Sequence, residues 1–190
     1  MVIRRSGANE SRYDHGRVTS DSRLILEPLR PEHAAEMVAV LSDPALYEFT
    51  GGEPPTLDEL RARYERQAVG HSPDGSAEWL NWIVRTTDDG QAVGFVQATV
   101  VGGNADLAWL IGTTWQGRAY ATEAAREMLA VLAQRGIGHF TAHIRADHQA
   151  SARVAANLGL SPTDKVEDGE VVWRLLLDGT GRIEDLEWSR

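Results

Sequence analysis

Residues 115–124 read WQGRAYATEA, and a helix begins inside this stretch without a conventional cap. The apolar spacing that follows predicts a helix from about Arg118 or Ala119 to about Arg135. The residues before it are Trp, Gln and Gly, and none is a preferred capping type. A helix start leaves four backbone N–H groups open and carries positive potential, so an anion, particularly a phosphate, is a suitable partner.

Two neighbouring residues favour an anion at this helix start. Gly117 allows close approach to the backbone, and Arg118 adds a charged donor. The same residues leave two other readings open: Thr114 caps a helix that starts earlier, or water satisfies the amides.

Composition excludes several classes of function. The chain has 190 residues, enough for one domain with a sizeable core, and its formal charge of −9 argues against a broad nucleic-acid interface. It has no cysteine, which excludes disulfides, thiolate metal sites and a cysteine acyl-enzyme. No apolar run approaches the ~18 residues that span a membrane, and no signal-peptide pattern follows the first arginines. We expect a cytoplasmic protein that binds neither nucleic acid nor membrane.

The remaining pattern predicts one domain of order β-α-α-β-β-β-α-β-α-β-β, a mixed sheet with helices against it. We expect a flexible N-terminal tail at 1–22, the domain at 23–178 and a C-terminal tail at 179–190. Predicted strands lie at 24–26, 78–86, 92–101, 105–111, 137–144 and 170–177, with helices starting at Pro31, after Thr56 and at Ala150. Asp168-Gly169 predicts a hairpin between the last two strands.

The stretch WQGRAYATEA resembles the acyl-CoA-binding segment of the GCN5-related N-acetyltransferases (GNAT), in particular the RimJ/RimL-like type that acetylates ribosomal-protein N-termini. The family pattern Q/R-x-x-G-x-G/A matches 116–121, with Ala119 in place of the first glycine. Alanine is small and helix-compatible, so we expect the phosphate approach to survive. Four more segments match in order between Leu24 and Leu177: RLILEPLRPEHAAEMVAVLSDP, GQAVGFVQATV, ADLAWLIG and ADHQASARVAANLGL.

The resemblance implies a single α/β (α+β) domain with a mixed, mostly antiparallel sheet of about seven strands flanked by helices. In this fold the fourth and fifth strands splay apart, and the pantetheine arm of the co-substrate lies between them. Acetyl-CoA is the implied co-substrate. The implied cofactor-binding residues are Leu110, Ile111, Gln116, Gly117, Arg118, Ala119, Tyr120, Ala121, Thr122, His148 and Ser151.

Acyl transfer to an amine needs donors for the thioester oxygen and a partner for the leaving thiolate. The backbone N–H of Leu110 or Ile111, at the splayed end of the fourth strand, is the expected oxyanion donor. The tyrosine acid of many relatives corresponds to Ala155 here, whereas the N-x-x-S pattern of RimJ/RimL-like enzymes corresponds to 148–151. Ser151 is therefore expected at the sulfur end, with a local helix-start hydrogen bond as the alternative. His148 replaces the asparagine and either bonds pantetheine or stands unpaired in solvent.

The general base is less clearly marked in the sequence. Glu170, after the predicted hairpin, is favoured, and Asp106 stands where the family often has glutamate. Glu48 and Glu53 lie in the region that usually shapes the acceptor site. For each carboxylate the alternative is a solvated surface charge. His139 and His143 share a strand face, but no third ligand is evident, so we predict no metal site.

The expected function is acyl-CoA-dependent N-acylation, with acetyl as the acyl group, by direct transfer to a primary amine in a ternary complex. A CoA-binding sensor or regulatory module without turnover is the alternative. The acceptor stays open between a protein N-terminus, an antibiotic and a small amine, and succinyl-CoA is an alternative donor. A homodimer is expected only by analogy with the family.

Overall fold

The computed structural model describes residues 22–177, so all but Ser22 of the expected tail at 1–22, and the whole expected tail at 179–190, lie outside the described residues. The strands are β1 Leu24–Pro28, β2 Glu78–Thr86, β3 Ala92–Val101, β4 Asn104–Ile111, β5 His139–Arg145, β6 Ser161–Glu167 and β7 Glu170–Leu176. The helices are α1 Ala34–Val40, α2 Leu57–Gln67, α3 Tyr120–Gln134 and α4 Gln149–Asn157. Short 3-10 turns occupy Pro31–His33, Pro44–Tyr47 and Thr113–Trp115. The predicted order of strands and helices is confirmed.

The described strands form one sheet in the order β1-β2-β3-β4-β5-β7-β6. Every neighbouring pair is antiparallel except β4 and β5, which run parallel. These two strands pair only from Asn104 to Asp106 against His139 to Thr141. Beyond those pairs they diverge, so the expected splay is confirmed and a gap opens towards the carboxyl ends of both strands.

Helices cover the sheet in two layers because side chains alternate between its faces. One core cluster packs α3 and α4 on β3, β4, β5 and β7, with Met128, Leu132 and Phe140 fully or almost fully buried. A second cluster joins α1 and α2 to the opposite face at β2 and β3, around Met37 and Leu60. The strands that flank the gap, β4 and β5, are therefore covered on one face by α3 and α4.

Local sequence explains the turns that hold this arrangement. Thr56 and Glu59 form the predicted capping box at the start of α2, with each side chain bonded to the other residue's backbone N–H. Asp168 and Gly169 adopt φ values of 49° and 85° between β6 and β7, which confirms the predicted hairpin. Among residues 22–177, no helix combines the length and apolar character needed to cross a bilayer.

Candidate active site

The start of α3 has open backbone amides. The helix begins at Tyr120, and Ala119, the residue in the capping position, offers no side-chain hydrogen bond. Within residues 22–177, no acceptor engages the N–H groups from Gly117 to Thr122. Thr114 belongs to a separate 3-10 turn, so the reading in which it caps this helix is wrong. The amides and the helix dipole together make a local anion-binding feature.

Glycine and alanine shape the backbone before this helix. Gly117 has φ 77°, and a Cβ placed there would meet no atom within 4 Å. Ala119 has φ 65°, in the left-handed region. The expectation that Ala119 fits a helical backbone is therefore wrong, because the position requires the conformation that glycine adopts without strain. An L-residue in that region costs about 1–2 kcal/mol.

Replacing Ala119 by glycine should stabilise the protein. The substitution removes the left-handed strain, although glycine gains entropy in the unfolded chain. A net gain of about 1 kcal/mol would raise Tm by ~2–4 °C. Thermal unfolding measures the shift, and Ala121→Gly, inside the first helical turn, should instead lower Tm. An Ala119→Gly protein that melts below the parent would contradict the assigned backbone strain.

Arg23 organises the charges beside the amides, a role that the sequence does not reveal. Its guanidinium binds the Glu123 carboxylate at 2.6 Å and donates to the Arg118 carbonyl at 3.3 Å. It also lies 5.3 Å from the centre of the Tyr120 ring. The ion pair offsets the one carboxylate in the first turn of α3, so the helix start stays suitable for an anion. Ser22, placed in the tail by the sequence, instead hydrogen-bonds Glu127 of α3.

The open end of β4 directs one amide into the gap. Gly112 N–H donates to the Val93 carbonyl of β3 at 2.9 Å. Along an antiparallel pair, the backbone N–H and C=O groups of successive residues point alternately towards and away from the neighbouring strand. The backbone groups of Leu110 therefore also point towards β3, and those of Ile111 point away from it. The Ile111 carbonyl accepts a hydrogen bond from Gln116 Nε2 at 2.9 Å, which agrees with that direction. Of the two expected oxyanion donors, Ile111 therefore has the backbone N–H with the suitable orientation. The Gln116 hydrogen bond also ties the segment before α3 to the end of β4.

The residues after β5 border the other side of the gap. Ser151 lies half-buried in the first turn of α4, and within residues 22–177 its hydroxyl makes no hydrogen bond. The alternative of a local helix-start bond therefore has no support in the geometry. His148 does not stand free in solvent: its ring stacks on Phe49 with 4.1 Å between centroids. Burial lowers the pKa of His148, which favours the neutral imidazole.

The two candidate bases lie at opposite ends of the gap. Glu170 lies opposite Arg145 in the strand register, at the carboxyl end of β5. The carboxyl end of β4, at Ile111, lies at the same edge of the sheet. Asp106 lies five residues before Ile111, about 17 Å along the strand. It accepts a hydrogen bond from Thr141 at 3.1 Å and lies 3.7 Å from His143 Nε2. Burial raises the pKa of Asp106, but the fold does not bring this carboxylate together with Ser151 and Ile111.

His143 joins two strands on the sheet face away from α3. Its Nδ1 lies 3.6 Å from Glu167 of β6, and its Nε2 contacts Asp106 of β4. His139 shares that strand with it. No group of three or more metal-binding side chains with suitable geometry occurs within residues 22–177.

Comparison with known proteins places this geometry in a family. The fold is similar to that of RimL, a ribosomal L7/L12 alpha-N-protein acetyltransferase solved in complex with coenzyme A, with a TM-score of 0.70. The two sequences are 17% identical, and the match covers 84% of this chain and 97% of the other. The aminoglycoside acetyltransferase AAC(6')-Ib in complex with ribostamycin and coenzyme A matches with a TM-score of 0.66 and 17% identity, over 80% of this chain and 92% of the other. A domain from Methanocaldococcus jannaschii DSM 2661 matches with a TM-score of 0.68 and 20% identity, over 83% of this chain and 100% of the other. No curated protein matches the chain in sequence.

These structural matches show the fold, and a family model extends the result to the family. The model of the acetyltransferase (GNAT) domain matches residues 23–161, well over half of the chain. That span contains the open amides before α3, the splayed strands and the start of α4. The chain therefore belongs to the GNAT acetyltransferase family and is an acyltransferase.

Proposed function

We propose that this protein is a cytoplasmic, RimJ/RimL-like N-acetyltransferase that moves the acetyl group of acetyl-CoA directly to a primary amine. One observation carries the proposal: unpartnered amides from Gly117 to Thr122 lie where β4 and β5 have already diverged. A diphosphate fits the amides and a pantetheine arm fits the gap. The comparisons give no support to the alternative of a CoA-binding module without turnover.

The chain's own groups supply binding and charge stabilisation at the gap. Bound acetyl-CoA would provide an acetyl group activated as a thioester. In the proposed reaction a bond forms between the amine nitrogen and the acyl carbon while the carbon–sulfur bond breaks. Ile111 N–H donates to the acyl oxygen as negative charge develops there. Ser151 Oγ hydrogen-bonds the departing sulfur, and Glu170 takes the amine proton directly or through water.

The acceptor class is open between two chemistries found among the structural neighbours. RimL is named for the α-amine of a ribosomal protein, and AAC(6')-Ib is named with the aminoglycoside ribostamycin. We therefore propose a peptide with a free N-terminal amine and ribostamycin as the first two probes. Thiol release above the rate without amine, together with mass spectrometry of the acetylated product, would identify the acceptor.

Acetyl-CoA should bind the free protein and raise its melting temperature. A ligand selective for the folded state, present at 100 times its dissociation constant, stabilises that state by about 2.7 kcal/mol. For a chain of this length the gain corresponds to ~5–10 °C in Tm. Acetyl-pantetheine lacks the diphosphate and should bind much more weakly. Calorimetry that detects no acetyl-CoA binding at millimolar concentration would refute the proposed function.

A further inference from the structure

A short segment bridges the carboxyl ends of the two splayed strands. We call residues 43–49 the strap. At its first end, Asp43 Oδ2 accepts a hydrogen bond from Thr113 Oγ1 at 2.7 Å. Thr113 lies two residues beyond Ile111, the last residue of β4. The strap therefore begins beside the open end of β4.

The other end of the strap reaches the turn after β5. Phe49 stacks on His148 with an interplanar angle of 28°. His148 precedes α4, and its N–H donates to the carbonyl of Arg145, the last residue of β5, at 2.9 Å. Since β4 and β5 have diverged at this level, a segment held at both strand ends crosses the mouth of the gap.

The body of the strap is packed into the core, whereas its far end meets the rest of the fold at the Phe49–His148 stack. Leu46 is buried in the core, and the Tyr47 hydroxyl donates to the Leu41 carbonyl at 2.9 Å. After Phe49, Gly51 and Gly52 both have positive φ. Within residues 22–177, the hydrogen bonds of residues 48–53 run only to the strap itself, from Glu48 N–H to the Ala45 carbonyl and from Gly51 N–H to the Tyr47 carbonyl. The Phe49–His148 stack therefore holds this end of the strap across the gap, beside a backbone that can rotate at two glycines.

We propose that Phe49 and His148 form a gate over the amine entrance, which keeps water from the acyl carbon and opens to admit the acceptor. The inference rests on the proposed function, because that function places the acyl carbon in the gap. Without a cover, water would attack: a carbon–oxygen bond forms and the carbon–sulfur bond breaks. One hydrogen of the water ends on the CoA thiol, and the other leaves the acetic acid product as a proton to solvent, which gives acetate. The Phe49 ring, stacked on the imidazole of His148, presents an apolar face that excludes water from that reaction.

Truncation of the gate should uncouple thioester cleavage from amine transfer. Phe49→Ala should raise thiol release from acetyl-CoA without any amine at least tenfold, while calorimetry gives an unchanged dissociation constant. The matched control is Val69→Ala, which truncates an exposed apolar residue just past α2 and should leave thiol release unchanged. His148→Ala should give a similar increase. The double variant should add little, because both substitutions remove the same contact.

A second readout needs no acetyl-CoA. Burial lowers the pKa of His148, and since the Phe49 ring stacks on the imidazole we expect Phe49→Ala to reduce that burial. The nearby charges of Glu48, Asp147 and Arg145 stay in place in this variant. Proton NMR titration of the His148 ring should therefore show a pKa below about 6.5 in the parent and a pKa closer to that value in Phe49→Ala. An unshifted titration would show that the stack does not form in solution and would overturn the gate.

The outcomes separate the gate from the proposed function. Acetyl-CoA binding with thiol release from Phe49→Ala within twofold of the parent overturns the gate and leaves the proposed function intact. No acetyl-CoA binding by the parent overturns both. A tenfold rise in release with unchanged binding and a shifted His148 titration supports the gate.

Discussion

Gly117→Asp should abolish acyl-CoA binding. The substitution places a carboxylate beside amides that have no protein acceptor within the described residues, where the diphosphate is proposed to bind. Two unit charges 4 Å apart repel by about 4 kcal/mol at an effective dielectric constant of 20. Half of that energy would already weaken binding more than tenfold, and we expect a loss of at least a hundredfold, about 2.7 kcal/mol. Isothermal titration calorimetry with acetyl-CoA measures the effect.

The fold should tolerate this substitution. The space around a Cβ at Gly117 is empty, and aspartate is among the residues that enter the left-handed region most readily. Gly117→Asn is the matched control, because it has the same size and backbone preference without the charge. The asparagine variant should keep most of the affinity, and both should melt near the parent. If Gly117→Asp binds acetyl-CoA as tightly as the parent, the phosphates lie elsewhere.

Ser151→Ala should lower kcat by about one to two orders of magnitude with little change in the acetyl-CoA dissociation constant. The resemblance places the tyrosine acid of many relatives at Ala155, whose methyl side chain has no proton to give. Ser151 provides a hydroxyl in the first turn of α4. Loss of one hydrogen bond that forms in the transition state costs about 1–3 kcal/mol, which corresponds to this fall in rate.

Ser151→Thr provides the control, since it retains a hydroxyl at the same position. It should recover a substantial part of kcat, whereas a purely structural role at the helix start would show in Tm. Single-turnover thiol release with an acceptor identified above separates chemistry from product release. Full kcat in Ser151→Ala would make Ser151 a helix-start residue, and solvent would then protonate the thiolate.

Local patterns account for the parts of the fold that the sequence predicted well. The predicted bounds of β2 and β3 agree with the structure, because each strand is a run of alternating side chains between turn residues. The capping box before α2 and the hairpin after β6 also depend on a few adjacent residues. The left-handed conformation of Ala119 was missed, because alanine in a helical pattern gives no signal of that backbone state.

The strand register decides which of the candidate residues from the sequence lie near one another in the folded protein. Asp106 and Glu170 are both candidate bases in the sequence, with Glu170 favoured, and only the pairing of β4 with β5 and of β5 with β7 puts them at opposite ends of the gap. The choice between Leu110 and Ile111 likewise depends on which strand each backbone group faces. A sequence pattern does not carry that information, since register arises from strands distant in the chain.

The sequence by itself determined the order of strands and helices, the uncapped start of α3, and the family resemblance from which an acyl-CoA site is proposed there. Those features are local, since periodicity and capping need only a dozen or so neighbouring residues. Tertiary structure alone decided the contacts of Arg23 with Glu123 and of Phe49 with His148. Each pair is far apart in the chain and meets because the sheet places the ends of distant segments side by side. The charge balance at the amides and the cover over the gap are therefore properties of the folded protein.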